Sequence, residues 1–335
     1  MPSKVLGAVF LALGPALGPA LGLALGLAPG HGGAAAEPLE VSSIGRRLNV
    51  EDWSQTRLGR LAWRGGLQLS SPSEHFGGFS GLLIEEDGRR LLAVTDRGMW
   101  LRARLDYDED GFLSGLHAAE MGPLKEADGR PTDGKSRQDA EALARLADGS
   151  LLVAFEQQHR IAHFSAVAGL AGQPATFPLP TGATPLPSNL GLEALAVWPD
   201  GRILAVAEDR QDGAHPAFLF TAGGWQALSL GDVEDHRPTD AAVLPGGDLL
   251  LVERRYSLAA GLSIRLRRVA ARDIRPGARL AGEEIARFEP PLTYDNMEAL
   301  AVWRDAQGRL LVALMSDDNF SVLQRTLLML FQLEE

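Results

Sequence analysis

A motif that recurs five times constrains this chain more than any other feature. The first copy runs from Gly77-Gly78-Phe79-Ser80-Gly81 through the turn Asp87-Gly88 and the apolar Leu91–Val94 to Asp96-Arg97. The second has Asp139-Ala140-Glu141-Ala142-Leu143, Asp148-Gly149, Leu151–Val153 and Glu156. The third has Glu193-Ala194-Leu195, Asp200-Gly201, Ile203–Val206 and Glu208. The fourth has Thr239-Asp240-Ala241-Ala242, Gly246-Gly247, Leu249–Val252 and Glu253-Arg254. The fifth has Met297-Glu298-Ala299-Leu300, Gln307-Gly308, Leu310–Val312 and Asp317-Asp318.

Two short apolar runs around a glycine-bearing turn read as a β-hairpin. Glu141-Ala142-Leu143-Ala144 alone also fits a helix start, but five copies with glycine at the same place favour hairpins. Ser80, Glu141, Glu193, Asp240 and Glu298 stand 61, 52, 47 and 58 residues apart. That leaves room for two more strands per copy, such as Ala217–Phe220 with Trp225–Leu230. Four strands and a period near 50 match propeller blades. The expected fold is an all-β propeller of five or six four-stranded blades. Residues 39–70 and the run Thr326–Leu333 either complete a sixth blade or close the ring on the last one. A sandwich or β-helix is the alternative, and neither explains a motif of this length repeated so often.

The first 36 residues read as a signal peptide. Lys4 is their only charged residue, an apolar run spans Val5–Ala28, and Ala34-Ala35-Ala36 precede Glu37. That order is the grammar of a cleaved export signal, and the prolines and glycines inside the run weaken the reading as a retained anchor. Residues 37–335 are then one domain, periplasmic or secreted, with no later stretch apolar enough to span a bilayer. Without Lys4, 31 basic residues face 43 acidic ones, a formal charge of −12. So acidic a body does not suit nucleic-acid binding. The absence of cysteine excludes disulfides, thiolate metal sites and a cysteine nucleophile.

Antiparallel pairing returns the end of each second strand to the start of the first. The expected pairs are Glu141 with Glu156, Glu193 with Glu208, Asp240 with Glu253, and Glu298 with Asp317, while Asp96 faces Ser80. Closing the ring gathers these acids at one mouth. Like charges at about 4 Å repel by roughly 4 kcal/mol at an effective dielectric of 20. Protonation, arginines such as Arg97 and Arg254, or a hard cation would relieve that. The expected cation is divalent, Ca²⁺ by its oxygen preference, with Asp96, Glu141, Glu193, Glu208, Asp240, Glu253, Asp295 and Asn319 as candidate ligands. No segment has EF-hand spacing. The bland alternative is that these acids accept backbone N–H bonds and tie blades together. Ser80 is a weak nucleophile candidate, His159 and His163 fall on a strand, and His215 and His236 read as solvated loop histidines.

Gly77-Gly78-Phe79-Ser80-Gly81, Asp96-Arg97-Gly98, Asp139-Ala140-Glu141, Glu193-Ala194-Leu195, Glu253-Arg254, Asp295-Asn296-Met297-Glu298 and Ser316-Asp317-Asp318-Asn319-Phe320 together resemble the family named for an esterase-like activity of phytase. The likeness spans about residues 60–333. It implies an exported propeller and a phosphoester or ester hydrolase, without supplying a catalytic residue. The first reading is therefore a metal-assisted hydrolase of a small anionic or ester substrate. Glu298, Asp317 and Asp318 are its candidate catalytic groups, and Arg97 and Arg254 its candidate substrate contacts. A non-catalytic envelope propeller and a lactonase-type propeller with a central cation are the alternatives.

Overall fold

The computed structural model describes residues 36–180 and 186–334. The expected leader, residues 1–36, lies outside them except for Ala36. Among the described residues, no helix is long and apolar enough to cross a membrane.

Five sheets stand around a central axis as blades. From the inner strand outward, blade 1 is Phe79–Ile84, Arg90–Thr95, Met99–Tyr107 and Leu113–Pro123, with Glu37–Leu39 added at its outer edge. Blade 2 is Ala140–Arg145, Leu151–Phe155, Arg160–Phe164 and Ala175–Phe177. Blade 3 is Leu192–Val197, Ile203–Ala207, Ala214–Thr221 and Gly224–Gly231, extended by Arg279–Leu280. Blade 4 is Arg237–Val243, Leu249–Ser257, Gly261–Val269 and Glu283–Phe288. Blade 5 starts with Met297–Arg304, Leu310–Ser316 and Thr326–Leu333.

The N-terminal segment completes blade 5 and adds no sixth. Leu61–Ser70 pairs antiparallel with Thr326–Leu333, from Thr326 opposite Leu69 to Leu333 opposite Leu61. Ser42–Arg46 then pairs with Leu61–Ser70. The first and last parts of the described chain thus share one sheet, and Glu37–Leu39 reaches the neighbouring blade. Pairing the terminal strand in this way leaves no open sheet edge there.

Each of the five repeats forms its hairpin within its own blade. Apolar side chains from both faces of each blade fill the gaps between neighbours. Leu82 and Leu101 meet Ala313 and Met315 between blades 1 and 5. Leu152 and Ala154 meet Leu195 and Ala205 between blades 2 and 3. Burying a leucine of this kind contributes about 1.5–3 kcal/mol, so the five gaps together form the core. The lower part of the axis holds a channel of about 150 Å³, ringed by residues such as Leu83, Ala144, Ala196, Ala242 and Ala301, with Arg145 among them. The polar chemistry is at the other end.

Candidate functional site

Every inner strand carries one extra residue at its upper end. The pairing slips at Ser80, Glu141, Glu193, Thr239 and Glu298 in blades 1 to 5. A bulge of this kind re-aims a side chain. Here it turns three glutamates toward the axis, close enough for Glu141 to feel both Glu193 and Glu298. Ser80 and Thr239 are too short to reach inward. Ser80 donates to the carbonyl of Ala140 in blade 2. Thr239 donates to that of Met297 in blade 5 at 3.0 Å. The Ser80 hydroxyl is buried and committed to that bond.

A second tier follows the second strands. The backbone N–H groups of Asp96, Glu156, Glu208 and Asp317 bond the carbonyls of Gly78, Asp139, Gly191 and Asn296. In blade 4 the equivalent residue is Arg254, opposite Arg237. The fourth blade therefore departs from the expected arrangement by one residue. Asp240 follows the bulge, and Glu253 precedes the second-tier position. Asp240 turns away from the axis and accepts the N–H groups of Ala241 and Leu300, both at 2.7 Å. Glu253 is fully buried between Arg265, at 2.7 Å, and Arg267. Both are tied within or between blades, away from the mouth acids. The spacing signalled this, since 15 residues separate Glu141 from Glu156, Glu193 from Glu208 and Thr239 from Arg254, but only 13 separate Asp240 from Glu253.

Arg254 answers the acids on its side. It donates to Glu298 at 2.6 Å, Asn296 at 2.8 Å and Glu208 at 3.3 Å. Asn296 also donates to Glu298 at 2.7 Å, and Arg237 lies 3.5 Å from Glu208. Burial alone would lower the Arg254 guanidinium's pKa, but Glu298, Glu208 and Glu193 outweigh it and raise it.

The opposite side has no such partner. Asp139, which precedes the second bulge, places a carboxylate oxygen within 4.8 Å of oxygens from Glu141 and Glu156. Among the described residues, neither these three nor Asp96, Glu193 and Asp317 form an ion pair with any lysine or arginine. The charge of Asp139 bears on Glu141, and that of Glu156 on Glu193. Burial raises the pKa of all four carboxyls, with neighbouring charge adding to the rise in Glu141, Glu193 and Glu156. Burial, then Asp139, pushes Asp96 up to about 7, and burial with Glu298 pushes Asp317 up to about 9.

The other candidates lie around this core. Asp318 accepts N–H bonds from Gly78 and Phe320, both at 3.1 Å, and a hydroxyl from Thr326 at 2.8 Å. It clamps the last loop onto the Gly77-Gly78 turn, where a Cβ on Gly77 would come within 2.5 Å of its carboxylate. Asn319 is an exposed turn residue with φ 47°. Asp295 is held by Arg325 at 3.1 Å. Arg97 is exposed and stacks on Phe320 at 3.2 Å from the ring centroid. These four frame the rim and do not join the three-carboxylate cluster.

Three histidines differ from expectation: His159 lies in the turn ahead of Arg160–Phe164, with only His163 on the strand, and the other two are buried. His215 and His236 are fully buried. His215 Nδ1 lies 3.0 Å from the carbonyls of Glu208 and Asp209, and His236 Nδ1 lies 3.2 Å from that of Glu234. The polar loop sequence around them hid that burial. One acidic signal was also overlooked: Asp106-Tyr107-Asp108-Glu109-Asp110-Gly111 begins as an EF-hand loop does, though His117 stands where the motif has glutamate. In the structure Asp106 faces His117 at 2.8 Å, and Asp108 accepts the N–H groups of Asp110 and Phe112, so the loop's carboxylates do not converge.

A family model described as phytase-like, with the esterase-like activity of phytase, matches residues 74–320. No curated protein matches the chain. Among solved structures it is similar to a candidate gluconolactonase (14% identity, TM-score 0.44, 91% of this chain and 95% of that one). It is also similar to a PQQ-bound aldose sugar dehydrogenase of Streptomyces coelicolor (14%, 0.41, 88% and 98%). A gluconolactonase of Xanthomonas campestris is a third (14%, 0.40, 89% and 97%).

Proposed function

Since the chain belongs to the phytase-like family named for esterase-like activity, we propose that it is an exported, cation-assisted hydrolase of an ester bond working at the acidic mouth. One observation carries the reading. Asp139, Glu141 and Glu156 bring three carboxylate oxygens within 4.8 Å of one another, with no basic side chain paired to them among the described residues. An all-oxygen, anionic donor set suits a hard divalent cation such as Ca²⁺. A bound cation would supply polarisation of a substrate oxygen and a more acidic water.

The remaining steps belong to the protein's own groups. Asp96, held near 7, has the proton affinity that suits a general acid or base at neutral pH. Arg254 fixes Glu298 and Asn296 at the channel wall.

Electrostatics favours one substrate type. Arg254 is already engaged by Glu208, Glu298 and Asn296, and Arg97 lies on Phe320 outside the ring. A phosphomonoester dianion would meet more carboxyls than free cations. A neutral carboxylic ester or lactone meets no such repulsion, which supports the lactonase-type alternative over a phosphatase.

The test is turnover of 4-nitrophenyl acetate, a simple lactone and 4-nitrophenyl phosphate, in calcium and in chelator. Hydrolysis should require calcium and favour the neutral substrates. Glu141→Gln should lower it at least about tenfold, a barrier change of about 1.4 kcal/mol. Turnover that is indifferent to chelation, or unchanged in Glu141→Gln, would sink the proposal.

A further inference from the structure

Where blade 4 faces blade 3, its apolar side gives way to charge toward the mouth. Side chains alternate along a strand, so Leu251, Glu253 and Arg255 share one face. Their partners across the ladder, Arg267, Arg265 and Ser263, share it too. Leu251 and Val269 belong to the apolar contact with blade 3, so the charged residues above them are turned the same way. Residues 232–236, which lead from blade 3 into blade 4, cover that charged patch. Arg267 donates to the Gly231 carbonyl at 2.9 Å, and His236 and the Asp232 side chain are buried.

Ten buried side-chain polar atoms lack a partner among the described residues, and four of them are gathered here: Asp232 Oδ1, Arg255 Nε, Arg265 Nη2 and Arg267 Nε. A buried polar atom left unpaired is costly and calls for an explanation. The four are not alike. Asp232 and Arg267 attract each other, and a single water can join an acceptor to a donor. Arg255 and Arg265 are both donors and both cations. Their charges bear on the buried His236, whose pKa is lowered first by burial and then by Arg265, Arg255 and Arg287. His236 therefore stays neutral and adds no charge of its own.

Charge selects the ligand. The oxygens of Glu253 are taken by Arg265 and Arg267. Arg255 has no ion pair or hydrogen bond among the described residues. At the edge of the patch Arg287 is balanced by Glu234 and Glu284, and Arg210 has Asp235, while the Glu289 side chain is half exposed to water. Within it, Arg255, Arg265 and Arg267 stand against Glu253 and Asp232, three positive charges to two negative. A water can accept from both orphaned guanidiniums but cannot cancel the remaining charge, and an uncompensated buried charge is strongly destabilising. An anion does both. Because the orphaned atoms are sealed from solvent, the occupant is small and is enclosed as the chain folds. A monatomic, monovalent anion meets both the charge and the enclosure.

We propose that Arg255 and Arg265 hold a chloride-sized monovalent anion between blades 3 and 4, at a structural site independent of the acidic mouth. The test is urea unfolding of the full chain in chelator, at constant sodium and ionic strength, as chloride replaces methanesulfonate. The midpoint should rise saturably with chloride, because an anion bound only by the folded chain stabilises it. Arg255→Gln removes the unpaired charge from a half-buried side chain that nothing else in the fold holds. It should weaken the chloride response at least about tenfold, the loss of one hydrogen bond to a charged group. In methanesulfonate the same variant should be no less stable than the parent. With bromide in place of chloride, a crystal should show an anomalous peak in contact with Arg255 Nε and Arg265 Nη2. A midpoint indifferent to which anion is present overturns the proposal. So does an Arg255→Gln variant that keeps the full chloride response, or water in place of bromide at the two guanidiniums.

Discussion

Asp96 carries a proton at a pH where an exposed aspartate has long lost it. Its folded value is about 7 against an ordinary 3.8, because burial and Asp139 penalise its charge. Between those values the folded chain holds a proton that the unfolded chain has released, so stability falls as pH rises. The contribution is complete below about pH 4 and is lost through about pH 7 for Asp96; Asp317 extends the loss toward about 9. In chelator, the urea midpoint should therefore be lower at about pH 8.5 than at about pH 5, and Asp96→Asn should flatten the difference. A midpoint that climbs over that range would contradict the crowding. Arg254 works in the other direction by neutralising Glu208 and Glu298. Its side chain is 29% exposed, so Arg254→Gln should cost about 2 kcal/mol, less than the roughly 3–5 of a fully buried pair. Chemical denaturation would measure it. Glu141, Glu193 and Glu298 were legible in the sequence because each sits in a Glu-Ala-Leu copy. Asp139 was not singled out as a ligand, because its equivalents two positions before the other bulges are Gly78, Gly191, Arg237 and Asn296, so the repeat itself carries no carboxylate there.

The hairpin is the element that translates repeat into site, and its bulge decides which side chain points inward. In blade 4 the bulge falls on Thr239, so Asp240 becomes a tie between inner strands. Asp240→Ala removes the acceptor of the Ala241 and Leu300 N–H groups. It should lower stability by about 2 kcal/mol and leave calcium affinity unchanged, which denaturation and calorimetry on the same sample would show. If Asp240→Ala instead weakens calcium binding, the blade 4 register described above is not the one the protein uses. The loop ahead of blade 1 is similarly exacting. Gly78 has φ 64°, and a Cβ there would come within 2.0 Å of Asp96 Oδ1 and 2.7 Å of Phe320. Gly78→Ala should displace Asp96 and lower both stability and any turnover. Ala in its place without either effect would show that Asp96 is free to move. The hairpins themselves were readable because alternation and glycine turns act within about 15 residues. The bulge itself was not, because alternation does not mark the one residue that leaves the ladder; only the 13-residue spacing of Asp240 and Glu253 carried a trace of it in blade 4.

At the scale of the whole ring, cation and proton compete for the same oxygens. Calcium at 100 times its Kd would add about 2.7 kcal/mol of stability. Because the carboxyls of the cluster bind protons tightly, that gain should be larger at about pH 8 than at about pH 5.5, and binding should release protons. Thermal melts in calcium and chelator at both values test it, and equal shifts at the two would count against a site at Asp139, Glu141 and Glu156. The sequence by itself determined the propeller: five hairpin copies, each unable to bury both apolar faces alone, must stack around an axis. It also brought most of the acids to one mouth, since antiparallel pairing returns each second strand to the start of the first. Only the tertiary structure decided that the blades number five, because closure rests on Leu61–Ser70 pairing with Thr326–Leu333 across more than 250 residues. The same long-range packing buried His215 and His236, placed Arg254 where other blades carry an acid, and joined Asp139 to Glu141 and Glu156. Local patterns specify a strand and its turn; which oxygens meet at the axis depends on how neighbouring blades dock, and no single segment contains that information.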